Sequence, residues 1–418
     1  MNCYFQKLNT VGGNERSVIY EPDISNPLVT YGAIFKGSIL FETPADNGIF
    51  NVIRELFNLS GREDERIRLL RGSAERVEFF ANKDSLGFVV RTMKGFLYSS
   101  LELFASAIRH FEPSQRLVEI TKSQVLTLIN GQSKHIEHQL ERAYRESFYN
   151  NHPYRLRKCG SVESVVNLER DEICRKYSDF VSTENMTLFF SGDIEIDRLN
   201  DCLERLLGPF TGSRIHHEET ASRKSSPDVF YLQHTSEKLA FLVIAYPAAK
   251  IIDNDRLSLD LLRTILSDRL SAQLRQERDL AYLCNISLDT GMLPGSMFIS
   301  LACRPANVEQ ALDLTLHEIE SLREKPVGGS ELKQAKATAI NRMYLRLDPS
   351  CLSALLFEIA YHELFGFEST DYFQQALANL GAATAEDLSQ AAARYFIQEN
   401  SVTLISSPQA RAKHSVRT

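Results

Sequence analysis

No stretch of this 418-residue chain approaches 18 continuous apolar residues, so no membrane-spanning helix and no membrane partner are expected. The opening MNCYFQKLNT lacks the basic segment followed by an apolar one that marks a secretory leader, and the expected localisation is cytoplasmic. There is no long Lys/Arg run and no basic patch interleaved with aromatics. With a formal net charge of −7 this excludes nucleic acid as the expected partner and fits cationic peptides better. The seven cysteines (Cys3, Cys159, Cys174, Cys202, Cys284, Cys303, Cys351) are scattered, odd in number and never form C-x-x-C. That pattern argues against a disulfide framework and against a thiolate metal site. A P-loop, a G-x-S-x-G elbow and a dinucleotide fingerprint are also absent. What remains is 43% hydrophobic and 24% charged residues, the content of an ordinary soluble chain long enough for two or three domains with a sizeable core.

The chain repeats itself. Residues 143–148 read AYRESF and residues 360–365 read AYHELF, an offset of 360 − 143 = 217. Glu184-Asn185 followed by MTLFFSG returns as Glu399-Asn400 followed by SVTLISS (offset 215), and Asn47 corresponds to Asn254 (offset 207). Each half runs in one order: an apolar strand (28–41; 239–245), a helix (47–59; 256–275), a strand near 88–92 or 298–303, then a long helical pair and a closing strand. The segment TGSRIHHEETASRKSSP between the halves has Gly, Ser, Pro and charge without apolar periodicity, as a linker does. The expected fold class is α+β: two similar domains from an internal duplication, each an antiparallel sheet packed with helices largely on one face. The expected bounds are 1–212, a linker at 213–227, and 228–418.

Residues 48–57, GIFNVIRELF, carry the sharpest local signal. Ile49, Val52, Ile53, Leu56 and Phe57 have the spacing of one buried helical stripe, while Asn51, Arg54, Glu55 and Asn58 share a polar one. An inverted zinc motif, H-x-x-E-H, would set His, Glu and His at Asn51, Arg54 and Glu55. Other metal-like groups read more simply. His135 and His138 stand at i, i+3 on a polar helix without a third ligand, His216 and His217 lie in the linker, and His362 occupies a helix repeat position. Asp193 in SGDI reads as a strand-end turn residue.

Four segments in order resemble the pitrilysin/insulinase (inverzincin) metallopeptidase family in its short form: GSILFETPADNGIFNVIRELF at 37–57, His152-Pro153-Tyr154, ENMTLFFSGDI at 184–194 and LSDRLSAQLRQERDLAY at 266–282. The resemblance spans nearly the whole chain. It implies zinc held by the motif's two histidines and a later glutamate, with the motif's own glutamate as general base. This chain departs from that pattern. Arg54 stands at the base position, where a guanidinium cannot give up its proton at usable pH and repels a cation. The segment expected to supply the distal glutamate, 121–131, reads TKSQVLTLING and has no carboxylate. One carboxylate, Glu55, does not make the three-ligand set of an open zinc site, so no metal and no cofactor are expected on this chain.

The second half keeps what the resemblance implies is the family's substrate-contacting pair, Arg275 and Tyr282, at spacing 282 − 275 = 7. Both donate hydrogen bonds, and donors aimed at a developing oxyanion lower a peptide-hydrolysis barrier. Taken alone, such a pair reads more simply as an exposed arginine at a helix end and a half-buried strand tyrosine, and it is the resemblance that favours the functional reading. A chain with the donor pair but without the metal helix implies a homologous partner bearing H-x-x-E-H and the zinc. The expected function is thus a non-catalytic, substrate-contacting subunit of a heterodimeric zinc peptidase acting on peptides or small precursor or leader peptides in an enclosed chamber. Peptides there would add a strand to a sheet edge. The glycine-rich substrate loop of the mitochondrial processing enzyme's non-catalytic subunit has no counterpart in the glycine-free SDRLSAQLR, which argues against presequence processing. The competing expectation is a peptidase-derived structural or peptide-binding protein with no catalytic role.

Overall fold

The computed structural model describes residues 6–9, 17–207, 215, 228–232, 238–346, 352–367 and 371–408; apart from Ile215, the linker expected at 213–227 lies outside them. The first half runs β1 (Gln6–Asn9), β2 (Ser17–Pro22), β3 (Leu28–Lys36), α1 (Ile49–Ser60), α2 (Glu65–Ser73), β4 (Arg76–Ala81), β5 (Ser85–Met93), α3 (Leu97–Arg109), α4 (Gln115–Gln132), α5 (Ile136–Phe148), α6 (Val162–Asn167), α7 (Arg170–Phe180), β6 (Met186–Gly192) and α8 (Ile196–Leu207). The second runs β7 (Asp228–Leu232), β8 (Ala240–Pro247), α9 (Asp255–Leu270), β9 (Ala281–Asp289), β10 (Ser296–Cys303), α10 (Val308–Glu324), α11 (Gly329–Leu345), α12 (Leu352–Leu364), α13 (Tyr372–Ala382), α14 (Ala385–Tyr395) and β11 (Val402–Ser406). Among the described helices none is long and apolar enough to cross a membrane.

The duplication is visible strand by strand. The first sheet has the order β1-β2-β6-β3-β5-β4 and the second β7-β11-β8-β10-β9, so β2, β6, β3, β5 and β4 map onto β7, β11, β8, β10 and β9. Pairing is antiparallel throughout except for one parallel pair in each sheet, β2 with β6 and β7 with β11. A short 3₁₀ turn ending at Asn185 or Asn400 leads into each repeated strand, β6 or β11, which accounts for the shared Glu-Asn signature. In the first sheet Val29, Tyr31, Ala33 and Phe35 point into the core filled by α1 and α3, as the two-residue period of a strand requires. Phe57 of α1 packs within 4.9 Å of Phe79 and 5.1 Å of Phe88, ring centre to ring centre.

The repeated helices are exchanged between sheets. One compact unit comprises residues 1–131, 156–218 and 345–373, and the other 132–155, 219–344 and 374–418. Thus α12, from the second half, packs on β2, β3 and β6, while α5, from the first, packs on β8 and β11. The tyrosine of each repeated hexapeptide fastens its helix at an equivalent place. Tyr361 donates to the buried Asp84 at the β4–β5 turn, and Tyr144 bonds Ser296 at the start of β10. His152-Pro153-Tyr154 belongs to the same arrangement: the His152 ring meets the Pro294 carbonyl at 3.2 Å, and the Leu293 amide donates to the Tyr154 hydroxyl at 3.1 Å. Removing the donor from a buried carboxylate costs about 1–3 kcal/mol. Tyr361→Phe is therefore expected to lower the urea unfolding midpoint measurably, whereas an unchanged midpoint would show that this bond contributes nothing.

Candidate functional site

The polar stripe of α1 is built from the helix's N-terminus. Gly48 takes a left-handed conformation (φ 93°), and a Cβ there would lie 2.7 Å from the Cα of Gly160, so the loop packed against this end admits only glycine. Glu42 then caps the helix. Its Oε2 accepts from Asn47 Nδ2 at 2.7 Å and from the Gly48 amide at 2.9 Å, and Oε1 accepts from the Phe50 amide at 3.3 Å. Sequence reasoning passed over this residue, which lies five positions before a polar Asn and has no cap spacing to mark it. Burial pushes its carboxyl up to about 7 despite those donors. A folded-state pKa above the unfolded value of 4.5 means the native state binds the extra proton between them, so stability from this group falls as pH rises from about 4.5 to about 7. Urea midpoints at pH 5 and pH 7.5 should show that fall in the native sequence and a smaller one in Glu42→Gln; equal slopes would remove Glu42 as its source.

On the stripe itself, Asn51 is 4% exposed, and its Nδ2 has no hydrogen-bond partner among the described residues. Arg54 is ion-paired to Glu55, whose other oxygen accepts from Asn58 Nδ2 at 3.1 Å. The one carboxylate of the set is therefore held by a guanidinium and an amide, and a divalent cation placed there would face the arginine's charge. These residues do not fit zinc. The carboxylate-free segment 121–131 lies on α4, where the Thr121 hydroxyl donates back to the Leu117 carbonyl at 2.8 Å. Among the described residues no group of three or more His, Cys, Asp or Glu side chains is placed to hold a metal. The His135 and His138 rings are 6.4 Å apart, His362 is buried against Tyr372, and Asp193 pairs with Lys94 beyond the end of β6. His216 and His217 lie outside the described residues.

Arg275 and Tyr282 sit where the backbone is least regular. The helix expected over 256–275 is α-helical to Leu270 and widens into a π-helical turn over Ser271–Glu277, carrying an exposed Arg275. The Leu280 amide donates to the Leu274 carbonyl at 2.7 Å, and Asp279 adopts a left-handed backbone (φ 48°). Tyr282 follows on β9, the edge strand of its sheet, and is 50% exposed. Its hydroxyl accepts from Arg304 Nε at 2.7 Å, a bond that holds the Arg304 guanidinium above its usual range. Burial pushes the Cys284 thiol, two residues along the strand, up to about 11, and the charge of Arg275 opposes that rise. π-turns and left-handed non-glycine residues cost stability and collect at functional sites. Arg304 escaped the sequence reading because its relation to Tyr282 depends on the β9–β10 register.

Residues 167–339 match the family described as Peptidase M16 inactive domain. Two uncharacterized zinc proteases, from Mycobacterium bovis and Mycobacterium tuberculosis, are each 23% identical over 284 residues, 65% of this chain. The match spans 64% of the length of those relatives, less than two thirds. Among solved structures, a protease from Helicobacter pylori superposes with a TM-score of 0.86 at 15% identity, covering 97% of this chain and 100% of that one. A peptidase M16 inactive domain from Pseudomonas fluorescens gives 0.86 at 18% identity, covering 99% and 100%. A chain of complex III from Candida albicans gives 0.81 at 16%, covering 97% and 96%. At these identities the likeness is one of fold, a duplicated α+β peptidase architecture. The chain thus resembles the M16 peptidases over 167–339 and shares their fold, without the H-x-x-E-H residues.

Proposed function

We propose that this chain is the non-catalytic, substrate-contacting subunit of a heterodimeric zinc metallopeptidase, lending Arg275 and Tyr282 to a zinc site on a homologous partner that bears H-x-x-E-H. The observation that carries the reading is an asymmetry. The helix that would hold metal is occupied by an Arg54–Glu55 ion pair and a buried Asn51, while Arg275 stays exposed on a π-helical turn and Tyr282 on the edge strand that follows it. Evolving the first without losing the second makes sense if another chain supplies the metal. The substrate would be a peptide or a small precursor or leader peptide, bound in an enclosed chamber. An extended peptide laid on a sheet edge such as β9 gains main-chain hydrogen bonds whatever its side chains. Neither nucleic acid nor membrane enters this reading, and the setting is cytoplasmic.

Mixing tests it. Purified separately, this chain and an H-x-x-E-H homologue from the same genome should each leave a quenched peptide intact, and the mixture should cleave it, with size-exclusion showing the complex. A mixture that forms the complex and stays inactive would favour a structural or peptide-binding role instead.

A further inference from the structure

We infer that Arg304 is a positioning residue that commits the Tyr282 hydroxyl to donating its proton outward, to a peptide carbonyl or the oxyanion formed from it. The inference rests on the reading above that Tyr282 touches substrate. Register supplies the first part. Ala302 pairs with Leu283 but Cys303 pairs with Ala281, so Tyr282 is the extra residue of a β-bulge in the edge strand. A bulge leaves its residue out of the ladder and re-aims the side chain. Arg304, the first residue past β10, meets that side chain: its Nε lies 2.7 Å from the Tyr282 oxygen, and its guanidinium carbon is 5.9 Å from the ring centre.

The chemistry of the two groups fixes the direction of the bond. A guanidinium has N–H donors and no acceptor, whereas a phenol has one donor and lone pairs. The Tyr282 oxygen must therefore accept from Arg304, and the phenolic proton is left to point elsewhere. A carboxylate or carbonyl in the place of Arg304 would instead have consumed that proton. On an exposed edge strand that proton goes to water in the free chain and is available to an acceptor brought by a ligand that displaces the water. The planar, permanently charged guanidinium also polarises the phenol, so the outward bond strengthens as charge builds on the acceptor.

Two measurements separate this role from the function it rests on. In the isolated chain carrying 3-fluorotyrosine, the ¹⁹F resonance of residue 282, assigned by its loss in Tyr282→Phe, should move on Arg304→Ala and move less on Arg304→Lys. An unmoved resonance overturns the positioning role whatever the chain's function. In the reconstituted pair, Arg304→Ala should lower kcat about tenfold with little change in KM, the pattern of a contact made only in the transition state. Arg304→Lys should recover part of it. In a Tyr282→Phe background the Arg304→Ala loss should vanish, because the two act through one hydroxyl. An undiminished loss there would mean that Arg304 acts on its own, which overturns the inference and leaves Tyr282's role standing. An active pair whose kcat is untouched by Arg304→Ala overturns it too, whereas a pair indifferent to Tyr282→Phe overturns the functional reading first.

Discussion

Arg275→Ala, or Tyr282→Phe, is expected to lower peptide turnover by the reconstituted pair by about 10²–10³, or about 2.7–4 kcal/mol, without preventing assembly. The size follows from where the donors act. A group that stabilises charge developing in a water-poor site contributes far more than a surface hydrogen bond, and ordinary surface substitutions stay within about 0.5 kcal/mol of neutral. Arg275 is exposed on a π-helical turn and Tyr282 is half-exposed on an edge strand, so neither change opens a cavity in the core. Arg275→Lys should rescue poorly, because an ammonium on a flexible stem does not reproduce a planar fork. Size-exclusion keeps the assay specific by showing that each variant still forms the complex. If both variants assemble and cleave at the native rate, the pair is scaffold.

The parts of the fold that sequence conveyed were those set by local pattern. The apolar stripe of α1 was legible residue by residue: Ile49, Val52, Ile53, Leu56 and Phe57 are all buried. Repeated hexapeptides revealed the duplication because both copies keep a tyrosine that must reach a buried polar partner. What that pattern could not convey was which sheet each repeated helix serves. An exchanged α5 and α12 bury the same apolar face as unexchanged ones would, so periodicity is blind to the choice. The parallel pairs β2–β6 and β7–β11 were hidden similarly, since alternation along a strand does not encode its neighbour's direction. At the site, the missing ligands were evident from residue identity alone. The Arg54–Glu55 pairing, the Glu42 cap and the Tyr282 bulge each depend on distances fixed only by the folded chain.

The second large expectation concerns metal. An open zinc site needs three protein ligands and a vacant position beside a base, and the corresponding positions here supply one carboxylate, already bound by Arg54 and Asn58. Burying a cation beside that guanidinium would add repulsion where the family motif needs attraction. In the proposed pair the zinc would sit on the partner, and the isolated chain should neither hold zinc nor hydrolyse peptides. Elemental analysis of the purified, tag-free protein is the most direct test of the claim that this is a peptidase fold without its own metal centre. The expected result is well under one tenth of a zinc per chain, since a site short of two ligands does not retain metal through purification. One tightly held zinc per chain, lost on Glu55→Ala, would contradict it.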